Sequence, residues 1–208
     1  MMKKTLVRLG LVLVALPLLT SCAAISALSS ATQPLDVYEL RAPGDIVSSD
    51  GRAAAQDVIV ELPTTSGALA TDRIMIRPNT LQAQYLPDVR WSEPTPVMVQ
   101  TLMLRSIEAT GRVRYVGRTP LGTSGDFALV TEVIDFQAEL SPDEETTIVR
   151  IKFLVRMVRE RDARIVASRT FDASAASTST ETAAILEAFS SASDQVFVEF
   201  ANWLRTAL

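Results

Sequence analysis

Leu9 to Leu19 is an eleven-residue run without a charge, preceded by Lys3, Lys4 and Arg8 and followed by Thr20, Ser21 and Cys22, the only cysteine of the chain. An ordinary membrane-spanning helix needs about 20 apolar residues, so this run is too short to span. Its length and basic flank fit the apolar core of a cleaved export signal. Residues 1–21 are therefore expected to leave before the protein folds. With a single cysteine, no internal disulfide can form and no cysteine-based metal cluster can be built. The exported body has to be held together by packing.

The run ends at Leu19-Thr20-Ser21-Cys22, which resembles the bacterial lipobox. There, small residues let a peptidase approach the backbone, and the thiol accepts a lipid. Cys22 is the expected site of lipid attachment, and in many bacteria its freed amine takes a further acyl chain. Pro17 would break the apolar helix close to the cut. Each buried methylene contributes about 0.8 kcal/mol, so one short chain holds only marginally and two or three hold firmly. Removing the first 21 of 208 residues leaves 187, and the loss of Lys3, Lys4 and Arg8 takes the net charge from −4 to about −7. Lys152 is the only lysine beyond the cut. Such a body gains nothing from an anionic lipid surface, so the lipid itself must supply membrane binding. Ala23 stands where enteric lipoproteins retained at the inner membrane commonly carry Asp. This favours a periplasm-facing anchor in the outer membrane over the inner.

Composition bounds the rest. Apolar residues are 48% and charged residues 21% of the chain, close to the globular average. The length suffices for one domain with a sizeable core. A pI near 5.0 argues against a phosphate-tracking nucleic-acid binder. There is no histidine, which removes the commonest general base and the commonest metal ligand.

Residues 23–35 are rich in Ala and Ser, uncharged, and contain Pro34. Together with Cys22 they read as a lipidated tether over 22–35. The remainder, 36–208, reads as one domain. Alternation predicts strands over 36–40, 56–62, 73–77 and 81–86, the last two joined by Pro78-Asn79-Thr80. A helix is expected over 97–109, opened by Pro94 and Pro96 and closed by Gly111. A short strand over 113–116 follows. Three long strands, 127–139, 147–158 and 164–173, form an antiparallel meander. On the first, Phe127, Leu129, Thr131, Val133 and Asp135 share one face, and Ala128, Val130, Glu132, Ile134 and Phe136 the other. A last helix, capped by Ser179 or Thr180, carries Ile185, Leu186, Phe189, Ser193, Val196, Phe197, Phe200, Trp203 and Leu204 on an apolar stripe. The expected fold class is α+β: a mostly antiparallel sheet with two helices packed on one face.

The usual parts of a catalytic site are absent. There is no phosphate loop or dinucleotide fingerprint. The acidic turn Asp143-Glu144-Glu145 lacks the alternating ligands of a calcium loop. Asp126 and Asp135 are imaginable as an acid and a base, but nothing places a substrate between them. No catalytic, metal or cofactor-binding residue is assigned. Tyr85, Arg90 and Trp91, just ahead of the first helix, combine residue types enriched at interface hot spots. They are a candidate partner-contact set, with core anchoring as the plainer reading of Trp91.

With these residues laid out, the chain resembles the ABC-type transport auxiliary lipoproteins, the family of PqiC-like proteins. The resemblance rests on an ordered set running over nearly all of the mature chain. It comprises Cys22, Asp36-Val37-Tyr38-Glu39-Leu40, Asp72-Arg73-Ile74-Met75-Ile76, Tyr85 to Trp91, Gly111-Arg112-Val113, Asp126-Phe127-Ala128-Leu129, and Ile134-Asp135-Phe136-Gln137-Ala138-Glu139. It implies a membrane-anchored, periplasm-facing accessory of an MCE-type system for phospholipids or other hydrophobic molecules. Its partners would be an MCE-domain protein and the ABC permease and ATPase. A lipid-binding carrier lipoprotein, with a cavity between sheet and helices, is the competing reading. A cell-wall-binding role is a third, with no recognisable motif behind it.

Overall fold

β8 (Thr147–Arg159) shows most directly how the chain encodes its sheet. Thr147, Val149, Ile151, Phe153, Val155 and Met157 are fully buried, while Arg150, Lys152 and Arg156 point the other way. A period of two places one set on the core and the other in water. The computed structural model describes residues 34–48, 55–142 and 144–208. Cys22 and most of the expected tether lie outside them.

β7 (Phe127–Leu140) is the spine. One of its edges pairs antiparallel with β8 along its whole length, and β8 pairs antiparallel with β9 (Arg164–Ala176). The hairpin between β8 and β9 turns through Glu160–Asp162, with Ala163 in the left-handed region. Three short strands share the other edge of β7 in succession, all parallel to it: β2 (Asp57–Val60), β3 (Thr64–Thr65) and β4 (Arg73–Asn79). β5 (Gln82–Trp91) returns antiparallel to β4, and β1 (Asp36–Tyr38) adds to β5 in parallel. β6 (Tyr115–Gly117) lies parallel to β2.

The α+β class is thus observed, but the sheet is mixed, and the expectation of a mostly antiparallel one is corrected. Local hairpins are antiparallel, as their short turns require. The parallel pairs join segments tens of residues apart, and periodicity carries no information on which distant strand is a partner.

A second correction concerns the faces of β7. The pairing with β8 skips from Val133–Phe153 to Asp135–Lys152, leaving Ile134 unpaired in a bulge. One extra residue inverts the alternation. Phe136 and Ala138 therefore join Leu129, Thr131 and Val133 on the core side, Ile134 is exposed, and Asp135 faces away from the core.

Both helices cover that core side. α1 (Thr95–Thr110) has Pro94 as N-cap and Gly111 in the left-handed conformation as C-cap (φ 61°), the punctuation expected of it. Its Gln100 Nε2 donates to Val60 O at 2.8 Å, and its Met103 Sδ accepts from Thr131 Oγ1 at 3.6 Å. α2 (Thr182–Ala207) begins after Glu181, which occupies the cap position without a side-chain bond, so neither Ser179 nor Thr180 caps it. Phe197 and Phe200 of α2 meet Phe153 of the sheet at 5.5 and 6.3 Å between ring centroids. Leu186 and Trp203 flank the buried stripe and are only partly buried.

Candidate functional site

The expected contact set straddles the end of β5, and strand geometry divides it. Neighbouring residues of a strand point to opposite faces. Trp91 turns inward and is 1% exposed. Its indole meets Phe136 and Phe189 edge-on, at 6.2 and 5.3 Å between centroids. It is a core anchor, the plainer of the two readings its sequence allows, and it is not part of the exposed surface that carries Tyr85 and Arg90. Arg90 turns outward and pairs with Asp72 at 3.1 Å. Tyr85 is 38% exposed. Its hydroxyl donates to Ala68 O at 3.0 Å, and the Arg73 guanidinium lies 5.9 Å over its ring. Tyr85 and Arg90 thus lie on a surface also built from Asp72 and Arg73, with Trp91 behind it.

Between them the chain deviates from regular pairing. The register of β4 with β5 moves from Arg73–Arg90 to Met75–Tyr85, so Leu86 to Val89 bulge out. Asp88 adopts a positive φ of 58° there. Pro87 cannot donate to a ladder, which favours a break at this point. The residues beyond it are then free to pair with β1, where Asp36, Val37 and Tyr38 lie beside Val89, Arg90 and Trp91. Ser92 N donates to Tyr38 O at 2.8 Å and closes the pairing.

Two open grooves lie beside this region. The first, about 370 Å³, is lined by Arg77, Asn79 and Thr80 on one side and Asp135, Gln137 and Glu139 on the other. Its carboxylates are already engaged. The Gln137 amide donates to Asp135 at 3.0 Å and to Glu139 at 3.3 Å, and Arg150 Nε donates to Glu139 at 2.7 Å. The second, about 330 Å³, lies between β1 and the first turns of α2. Trp91 forms its floor, and Tyr38, Leu40, Ala183, Leu186, Glu187 and Ser190 its walls. Residues 183, 186, 187 and 190 share one helix face. Leu186, expected on the core stripe, lines this groove instead, and the adjoining 183–186–187–190 stripe is the sequence signal of the second face.

The titratable residues do structural work. Arg114 Nε and one terminal nitrogen donate to the two carboxylate oxygens of Asp57, each at 2.7 Å. These bonds hold the Asp57 carboxyl below its ordinary value, against a smaller opposing effect of burial. Asp126 accepts from the Asp57 backbone N–H at 2.8 Å. Asp126 and Asp135 sit nine positions apart along an extended segment, about 30 Å at strand rise, too far to share a substrate bond. Among the described residues no group of three or more acidic or cysteine side chains is placed to hold a metal.

The fold has relatives of known structure. A protein from Xanthomonas campestris, XCC0632, matched to the DUF330 family, superposes with a TM-score of 0.72 at 24% identity, over 82% of this chain and 95% of that one. A second, uncharacterized protein superposes with a TM-score of 0.60 at 14% identity, over 83% and 99%. At the sequence level, the chain is 28% identical over 170 residues to the uncharacterized protein bll6063 of Bradyrhizobium diazoefficiens. That alignment covers 80% of this chain but 44% of the relative, so the chain spans less than half the length of this curated protein. The family model described as the ABC-type transport auxiliary lipoprotein component matches residues 38–201. That span takes in all of these elements but the first two residues of β1 and the last six of α2, and the chain belongs to the ABC-type transport auxiliary lipoprotein family.

Proposed function

We propose that this lipoprotein is the periplasm-facing accessory of an MCE-type ABC system moving phospholipids or other hydrophobic molecules, and that it works by docking to the MCE and permease assembly. Membership of the family makes it a lipid-anchored component of the cell envelope associated with ABC-type transport. The observation that carries the finer reading is the extent of that match, nearly the entire folded unit Asp36–Leu208. No helix among the described residues is long and apolar enough to cross a membrane; in this reading the attachment is the lipid on Cys22. Ala23 supports the outer membrane as its place.

The carrier reading requires a chamber between sheet and helices. That space is filled with aromatic rings in mutual contact: Trp91, Phe136 and Phe189 at one end, Phe153, Phe171 and Phe200 at the other. This favours docking over carriage. Affinity purification of the tagged, lipidated protein from its own envelope tests the choice. The docking reading expects an MCE-domain protein to copurify. Repeated recovery without one, with phospholipid bound instead, would overturn it in favour of the carrier.

A further inference from the structure

β1 ends the sheet. It pairs with β5 on one side, and among the described residues no strand pairs with its other side. Val37 is 52% and Tyr38 38% exposed. An open strand edge offers unpaired backbone donors and acceptors to another chain. The groove floored by Trp91 opens beside that edge, on the side covered by α2. Tyr38 lies next to Trp91 in the parallel pairing, so it shares the inward face and lines the groove. A strand added outside β1 would direct alternate side chains to that same face.

The groove also has a charge preference. Among the described residues its apolar lining is Tyr38, Leu40, Trp91, Ala183 and Leu186, and its charged lining is Glu39 and Glu187. Neither glutamate has an ion-pair or hydrogen-bond partner among the described residues. Two carboxylates beside an apolar slot disfavour a phospholipid phosphate and favour a cation next to an apolar group.

We propose that the outer edge of β1 and the Trp91 groove together receive an extended segment of a partner protein, with an apolar side chain in the groove and a Lys or Arg two residues away facing Glu39 and Glu187. The spacing of two follows from the strand period, which puts both side chains on the α2 side. Backbone pairing supplies affinity in this mode and the pocket supplies selection. The inference deepens the docking reading by naming the surface and the chemistry of the segment it takes.

The test uses the full-length lipidated protein in detergent and a library of nine-residue peptides. Each peptide carries one apolar residue in a Thr/Ser background, with Lys, Glu or Gln two positions on. The expected result is enrichment of the apolar-x-Lys peptides. The E39K/E187K double variant alters only exposed side chains, so it is expected to fold. It should weaken Lys peptides by roughly tenfold and favour the Glu peptides instead, the scale expected of two exposed charge pairs reversed together. Leu186→Asp should abolish selection of the apolar residue, with thermal melting confirming a folded protein. Equal binding of Lys, Glu and Gln peptides would overturn the proposal, as would no selection at all. Displacement of selected peptides by phosphatidylglycerol micelles but not by phosphatidylcholine micelles would also overturn it, by showing that the groove takes an anionic lipid. None of these outcomes depends on recovering an MCE protein, so failure here and failure of the docking reading are separable.

Discussion

Asp57 shows how one ion pair joins distant parts of the chain. It opens β2, and Arg114 leads into β6, which lies beside β2. Because its folded carboxyl is held below the ordinary value of 3.8, the pair contributes stability that is complete above that value. The contribution is lost as pH falls through the depressed folded value. Asp57→Asn should therefore lower the denaturation midpoint at pH 7, and the gap to the parent protein should close in acid. Urea titrations at several pH values measure both. Asp194 on α2 behaves in the opposite sense. Burial raises its carboxyl, and the nearby Asp45 raises it further. Its charged form opposes folding at neutral pH, and that penalty lifts as pH falls through the raised folded value. Asp194→Asn should raise Tm at pH 7, with no gain once the parent carboxyl is protonated.

At the scale of elements, the bulge in β7 decides which aromatic rings reach the core. Upstream of Ile134, odd-numbered residues face the helices; downstream, Phe136 and Ala138 do. Deleting Ile134 would remove the extra residue and make the pairing with β8 continuous, and simple alternation would then keep both Val133 and Phe136 on the core side, with Asp135 facing away. The expected outcome is a cooperative unfolding transition that persists, read by near-ultraviolet circular dichroism during a melt. The contact of α2 with the sheet converges on Phe153, which meets Phe171, Phe197 and Phe200. Phe153→Ala leaves a cavity at that junction and should cost about 3–5 kcal/mol by denaturant unfolding.

For the molecule as a whole, attachment and folding are expected to be separable. The folded unit begins at Asp36, fourteen residues beyond Cys22 in the sequence. Cys22→Ala should shift the protein out of the membrane fraction while a cooperative melt persists. A variant still found in membranes would show that the folded body carries affinity of its own. With its net negative charge, such affinity would have to be for a protein rather than for anionic lipid.

The sequence by itself determined what local chemistry can encode. The strand of alternating residues at Thr147–Arg159 and the helix between Pro94 and Gly111 each have their cause within a few residues. The ordered motifs around them also pointed to the family. Only the tertiary structure decided the rest. Whether β2, β3 and β4 lie parallel to β7 depends on segments far apart in the chain. The bulge at Ile134 appears only against the register of β8. Trp91 and Arg90, adjacent in sequence, part company because a strand sends them to opposite faces, and the Trp91 groove exists only because β1 and α2, separated by well over a hundred residues, close around it. Short-range periodicity specifies which face a side chain takes within its own element; which element that face meets is set by packing the whole chain at once.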